Sequence, residues 1–206
     1  LTLDWTRFDG KARCDQPNDY YSATDQLIRS DVFYSQPEKD IDIYALLADY
    51  KLQTSTQSEW LLGVKASRIA SDNSFLFKKN GTLDPQRSNR FRYDEHNIEG
   101  YTQYTHTWDQ LELSAGLRLE YMHTQSELRA HTSQATDRSR GDHLRLFPNL
   151  SISYALNEQS KVALLYSRRQ DKPRYEDLNP FEYLLDELSY WKGNPFLKPQ
   201  ISNKLI

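Results

Sequence analysis

Residues 110–124, QLELSAGLRLEYMHT, alternate between oily and polar side chains almost without a break. Leu111, Leu113, Ala115, Leu117, Leu119 and Tyr121 form one set; Glu112, Ser114, Gly116, Arg118 and Glu120 form the other. Successive side chains of a β-strand point to opposite faces, so an extended chain here has one oily face and one charged face. The run is also long. A soluble strand usually has about 5–6 residues, whereas a tilted strand crossing a bilayer needs about 9–11.

The pattern returns along the chain. Tyr44, Leu46, Ala48, Tyr50 and Leu52 alternate with Ala45, Asp49 and Lys51. Trp60, Leu62, Val64 and Ala66 alternate with Glu59, Gly63 and Lys65, with Leu61 the exception. Ile98, Thr102 and Tyr104 alternate more weakly with Asn97, Glu99, Tyr101 and Gln103. Leu150, Ile152, Tyr154 and Leu156 alternate with Asn149, Ser151, Ser153 and Ala155. Val162, Leu164 and Tyr166 alternate with Lys161, Ala163 and Ser167, although Leu165 blurs the polar side. The opening LTLDWTRF reads as the end of a further strand.

The connections alternate in length. TSTQS, HTWD and NEQS read as short polar turns. Between them, stretches 10–30, 71–90, 125–143 and 170–200 are rich in Asp, Asn, Arg, Ser or Pro and read as long loops. Structureless loops beyond about 12–15 residues are uncommon in a compact soluble domain. Short turns at one end and long loops at the other are the habit of outer-membrane barrels, with the short turns in the periplasm. The expected fold is therefore all-β: antiparallel up-and-down strands forming part, about eight strands, of a large transmembrane β-barrel.

In such a wall Trp60, Leu62, Val64, Leu111, Leu113, Leu117, Leu119, Leu150, Ile152, Tyr154, Val162 and Leu164 are expected to face lipid. Asp49, Lys51, Lys65, Glu99, Glu112, Arg118 and Glu120 are expected to face the lumen, in water or against a plug. Trp60, Trp108 and Tyr50, close to the short turns, suit an interfacial aromatic girdle.

Composition permits this reading without forcing it. A mean hydropathy of −0.83 fits a barrel with wet extensions as well as a soluble β protein. No stretch is apolar enough for a transmembrane helix, and no positively charged leader followed by an apolar run is visible within the chain. The chain starts without Met and stops inside a new alternation, as expected of a piece of a longer protein. Net charge is −3 with dispersed basic residues, so no nucleic-acid partner is expected. Cys14 is the single cysteine and has no disulfide partner in the chain.

The sequence favours binding over catalysis. Asp171, Glu176, Asp177, Glu182, Asp186 and Glu187 crowd the 170–200 stretch. A glycosidase pair needs a fixed separation and two unlike environments, for which nothing in this stretch provides. Tyr175, Phe181, Tyr183, Tyr190 and Trp191 are the candidate ligand contacts there, set against the plainer reading of a solvated loop. Pro173, Pro180, Pro195 and Pro199 punctuate the stretch. His96, His106, His123, His131 and His143 lack metal-ligand spacing, so no metal is expected; no cofactor motif is present.

Several phrases resemble the late barrel of TonB-dependent receptors of the outer-membrane β-barrel family. They are the FPNLSISY run with its Asn157–Glu158 turn and LLYSRR, the phrase from Arg168 to Phe181, and GNPFLKPQ at 193–200. SAGLRLEY at 114–121, the stretch from Asp84 to Glu95 and the ADYKL segment also fit, so the resemblance covers residues 40–206. It implies a barrel of about 22 strands with a plugged lumen. It implies as partners outer-membrane lipid, an N-terminal plug of the same parent chain, the TonB complex, and a scarce nutrient such as a siderophore, cobalamin or glycan. The whole of 1–206 would then be partial barrel, with the plug outside it. An outer-membrane barrel without energised import and a soluble sugar-binding module are the alternatives that the residues leave open.

Replacing Leu117 with Arg is expected to impair membrane assembly far more than replacing Glu120 with Gln, since a basic group on the lipid face costs about 2–4 kcal/mol at the midplane. Equal yields of assembled protein for the two variants would contradict this facing.

Overall fold

The computed structural model describes residues 1–130, 136–185 and 188–206, except for the side chains of residues 130, 136, 175 and 176. The elements are β1 (Thr2–Lys11), β2 (Cys14–Tyr21), β3 (Leu27–Ser55), β4 (Ser58–Lys79), β5 (Thr82–Leu83), β6 (Asn89–Trp108), β7 (Leu111–Ala130), β8 (Thr136–Asn157), β9 (Ser160–Asp171), α1 (Tyr175–Leu178), β10 (Glu182–Leu184), β11 (Tyr190–Lys192) and β12 (Gln200–Leu205). One antiparallel sheet runs β1-β3-β4-β6-β7-β8-β9-β12, with β2 and β5 attached to β3 and β4. Strands consecutive along the chain pair with each other, as in an up-and-down wall.

Three tight turns close one end of this wall: Thr56–Gln57, Asp109–Gln110 and Glu158–Gln159. The first and third fall inside the TSTQS and NEQS segments, while the second begins at the last residue of HTWD, whose His106–Trp108 belong to β6. At the other end Asn80–Gly81 turns β4 into β5, with both residues at positive φ. That is the requirement of a type I′ hairpin, which Asn-Gly meets best. The Asn80 side chain accepts from the Val32 amide at 2.7 Å and donates to Asp31 at 2.8 Å, fastening this turn to β3.

The strands are much longer than the sequence suggests, and this corrects the loop reading. Stretches 71–90 and 125–143 are for the most part continuations of β4, β6, β7 and β8; stretch 10–30 holds β2 and the start of β3. β3 has 29 residues, and β4 and β8 have 22 each. Hydrogen-bond ladders are indifferent to side-chain polarity, and opposite charges across a ladder support it. Arg90 pairs with Asp72 and Arg68 with Asp94 in this way. Polarity there marks a change of surroundings, not the end of a strand. His131 and residues 186–187 lie outside the described residues.

Two prolines stand where the ladder breaks, whereas Pro17 lies within β2, opposite Val32. β1 and β2 lie end to end along β3, and their join faces Gln36–Pro37. On β8, Pro148 marks the point above which β9 no longer pairs; the last shared row is Asn149–Ser167. A proline has no N–H for a ladder.

The register keeps the two faces separate across five strands. Leu62, Thr102, Leu117 and Pro148 share one row; Lys65, Glu99, Glu120 and Arg145 share a row on the opposite face. Two glycines on the polar face serve as beds for larger groups. The Tyr101 ring lies over Gly63 so that its hydroxyl reaches Asp49 on β3; a Cβ at Gly63 would stand 2.2 Å from the ring. The Asn149 carboxamide lies over Gly116 in the same manner.

Gly63→Val is expected to push Tyr101 aside, break its bond to Asp49 and destabilise the fold by about 1–3 kcal/mol through overpacking. Chemical denaturation of the refolded protein reads the difference; a midpoint identical to that of the parent sequence would mean the ring moves freely.

Candidate functional site

The polar face holds the densest constellation of chemical groups. Glu95, Glu99 and Glu120 are buried on it although they are carboxylates. Glu99 accepts from Asn97 at 2.8 Å and pairs with Arg118 at 3.3 Å and Lys65 at 3.7 Å. Glu95 accepts from the Tyr93 hydroxyl and pairs with Lys172, both at 2.7 Å. Beyond Ser167, β9 parts from β8, and the Gln170 side chain bonds both Glu120 and Arg145. Asn97 is only 4% exposed, and its carbonyl oxygen has no partner among the described residues. Buried acceptors normally find donors, so this unmet oxygen is a feature to be explained.

Residues 172–185 and 188–199 fold back across this face as a strap. Together they border a cavity of about 610 Å³, lined by Glu95, Glu99 and Glu120 on the sheet and by Leu178, Pro195 and Leu197 on the strap. The strap is anchored by Phe181, which is fully buried among Phe33, Phe75, Phe77 and Phe91. Burying one such ring contributes about 1.5–3 kcal/mol.

Two Asn-Pro-Phe turns build the strap. The Asn179 side-chain Oδ1 accepts from the Phe181 amide, and Asn194 Oδ1 does the same for Phe196. The turns lie side by side through Gly193 N–H to Asn179 O and Asn194 N–H to Asp177 O. Gly193 admits no side chain, because a Cβ would meet the Asn179 and Asp177 carbonyl oxygens at 2.4 and 2.6 Å.

Of the candidate ligand contacts, Phe181 has no surface to offer a ligand in this arrangement. Tyr183 packs on Phe75 and on Trp191, while Tyr190 and Trp191 are exposed on the β10–β11 hairpin. The Tyr175 side chain lies outside the described residues. Among the acidic candidates, Glu182 pairs with Lys192. Asp49, Lys65, Glu99, Arg118 and Glu120 lie together on the polar face; Lys51 and Glu112 share that face close to the turns, where Lys51 pairs with Glu59.

The other face has three zones. Near the tight turns stand Trp60 on Tyr104, and Trp108 beside His106. The apolar zone follows, carrying the leucines and valines from Leu62, Val64, Leu111, Leu113, Leu117 and Leu119 to Leu150, Ile152, Val162 and Leu164. Above it come Trp5, Tyr44 and Tyr121, and then charge. Tyr121 donates to Asp142 at 2.7 Å, and the Trp5 indole to Asp42 at 3.3 Å. Arg68, His96, His123 and Asp142 form one row there. Farther up, burial disfavours the Asp72 carboxylate, but hydrogen bonds and charge from Arg90 and Arg92 outweigh it and hold its pKa below the usual range.

This upper girdle and the facing His96–His123 pair were not found by reading the sequence, because both depend on cross-strand register. Each histidine pairs with its own carboxylate, Asp94 at 2.6 Å and Asp142 at 2.7 Å. No cluster of three potential metal ligands occurs among the described residues.

A family model, the outer membrane protein beta-barrel family, matches residues 1–205. Two solved structures are similar in fold. The ferric yersiniabactin uptake receptor FyuA from Yersinia pestis is 11% identical with a TM-score of 0.55; the match covers 98% of this chain and 30% of that one. The ferric-catecholate import receptor Fiu from K12 E. coli is 13% identical with a TM-score of 0.53, covering 81% and 29%. At these identities the likeness is one of fold. The chain spans under a third of the length of either receptor. No curated relative matches the sequence.

Phe181→Ala is expected to release the strap, since removing a buried aromatic ring costs about 3–5 kcal/mol. Limited proteolysis should then cut within 172–199 while the wall stays resistant; an uncut strap in the variant would show that Phe181 is not its anchor.

Proposed function

From the premise that this chain belongs to the outer membrane protein beta-barrel family and sits in the outer membrane, we propose that its apolar face meets lipid, its polar face lines a lumen, and its parent imports a scarce nutrient. The observation that carries the first part is the height of the apolar zone. On β7 it runs from Leu111 to Tyr121, about 34 Å along the strand at about 3.4 Å per residue. At a tilt of about 40° that is about 26 Å along the membrane normal, the height of the apolar band on outer-membrane barrels. Aromatic residues flank it at both ends, where amphipathic rings favour the interface. On this reading the tight turns face the periplasm, and the long strand extensions and the strap stand outside.

The unmet Asn97 side-chain oxygen, buried beside Glu95, Glu99 and Glu120, supports a second part: the lumen seats a donor-bearing segment of a plug carried by the same parent chain. A buried acceptor is normally met by a donor. The strap hairpin, through Tyr183, Tyr190 and Trp191, forms part of the outer ligand-binding surface. Ligand binding there would be passed through the plug to the TonB complex, which supplies the energy. Function on this account is binding and gated passage, with no covalent step. A siderophore, a cobalamin or a glycan is the class of cargo.

Nitroxide labels test the facing. At residues 117, 119 and 152 in the membrane-inserted parent, label relaxation is expected to respond to oxygen dissolved in lipid. At residues 65, 118 and 149 it should respond to a water-soluble nickel complex, and an inverted pattern sinks the reading. Uptake of labelled ferric siderophore, cobalamin or glycan by cells with and without TonB tests the transport, and uptake indifferent to TonB would leave a passive barrel.

A further inference from the structure

The apolar zone ends abruptly, and on β4, β6, β7 and β8 the four rows above it on the same face hold their fixed positive charge as arginine, whereas β1 carries Lys11, paired with Glu38. Arg68 on β4, Arg90 and Arg92 on β6, Arg129 on β7, and Arg138 and Arg140 on β8 all stand there. No lysine occupies the corresponding positions of residues 68–74, 90–96, 123–129 or 138–142. Arginine presents a planar fork that grips two oxygens of one phosphate, which an ammonium group cannot do.

The charges are unevenly balanced along this belt. On β4 and β6, Asp94 takes Arg68 at 2.7 Å, and Asp72 takes Arg90 at 2.5 Å and Arg92 at 3.0 Å. On β7 and β8, Glu127 alone serves Arg129 at 2.6 Å and Arg138 at 3.4 Å. Asp142 is taken up by Tyr121 and His123. Arg140 has no carboxylate within ion-pair distance among the described residues, and the Arg138 side chain is 70% exposed. Arg138 and Arg140 alternate on the same face of β8, about 7 Å apart along the strand. This corner therefore carries more guanidinium than carboxylate, at the edge of the zone read as hydrocarbon-facing. Above Pro148 no neighbouring strand crowds β8 on its β9 side.

We infer that Arg138 and Arg140, with Arg129 beside them, form a docking site for phosphate groups of the lipid headgroups that surround the barrel. The inference rests on the lipid-facing assignment of the apolar zone. Depth favours lipid over free phosphate as the source. Arg140, Arg138 and Arg129 stand two, three and four rows above the last apolar row, Tyr121–Leu144, each row rising about 5 Å at a tilt of about 40°, and their long stems can bend back toward it. A headgroup phosphate is held at that depth by its own acyl chains, whereas free phosphate gains nothing from it. Half-exposed ion pairs such as Arg138–Glu127 are worth little and yield readily to a doubly charged oxyanion.

The test uses the full parent protein in phosphatidylcholine vesicles containing a tenth of phosphatidic acid, or a tenth of diacylglycerol with the same chains. Mass spectrometry of the extracted protein counts retained lipid. Phosphatidic acid should be retained and diacylglycerol should not. The R138Q/R140Q double variant should lower its retention roughly thirtyfold, about fivefold for each guanidinium near an anionic surface. R68Q, whose partner is Asp94, should change it little, and inorganic phosphate at equal concentration should not compete. Retention equal in the double variant and the parent sequence overturns the site, as does equal retention of the two lipids. Displacement by inorganic phosphate overturns the lipid as its source. Heat-modifiable migration in gels reports whether each variant has inserted as a barrel. A protein that never inserts speaks against the lipid-facing reading, whereas one that inserts without lipid preference speaks against this site alone.

Discussion

A continuous backbone ladder governs the rest of this structure. Inside hydrocarbon an unpaired peptide group costs several kcal/mol, so each strand must find its neighbour along its whole membrane length. β3, β4, β6, β7 and β8 satisfy this with uninterrupted antiparallel pairing between consecutive strands. The ladder fixes register, and register fixes facing. A slip of one residue on β7 would carry Arg118 and Glu120 to the side of Leu117 and Leu119. One constraint thus places the leucines of the apolar zone on one side and gathers the buried carboxylates on the other, with the Phe33–Phe75–Phe77–Phe91 cluster above them.

Much of the wall was legible in the sequence because its signal is periodic and local. Leu111 to Tyr121 declares a strand by itself, and TSTQS, HTWD and NEQS declare tight turns. The resemblance placed residues 40–206 in the family, and the family match extends that to the first residues as well. What was misread follows one rule. Where strands leave the apolar zone the outer face becomes polar, the inner face mixes polar residues with Phe75 and Phe77, and residues 71–79 or 125–130 look like loop. Only the partner strand reveals them as strand, through pairs such as Arg90 with Asp72. The Asn80–Gly81 dipeptide was a local turn signal, and it sits at the upper end of β4.

The candidate site was less legible, because its parts come from distant stretches. Glu99 and Glu120 each read as a lumen charge, but their direct opposition follows from the β6–β7 register. Phe181 reads as a ligand-binding aromatic in isolation. Its burial depends on Phe75 and Phe91, which come from strands a hundred residues earlier in the chain. The twin Asn-Pro-Phe turns were visible as words, but their tie through Gly193 was not, since it depends on a close backbone approach that no spacing rule encodes.

Pro148 separates two design problems that a barrel otherwise has to solve together. Below it β8 is held between two neighbours, and any change in length would upset the facing of the strands around it. Above it β8 has a ladder partner in β7 alone, while β7 stays laddered to β6 as far as Asn89–Ala130. The upper stretch of β8 is thus an open margin of the sheet, where residues can be exchanged without disturbing a partner on that side. Variation among relatives should therefore accumulate along that margin, leaving the portion embedded in lipid comparatively constant.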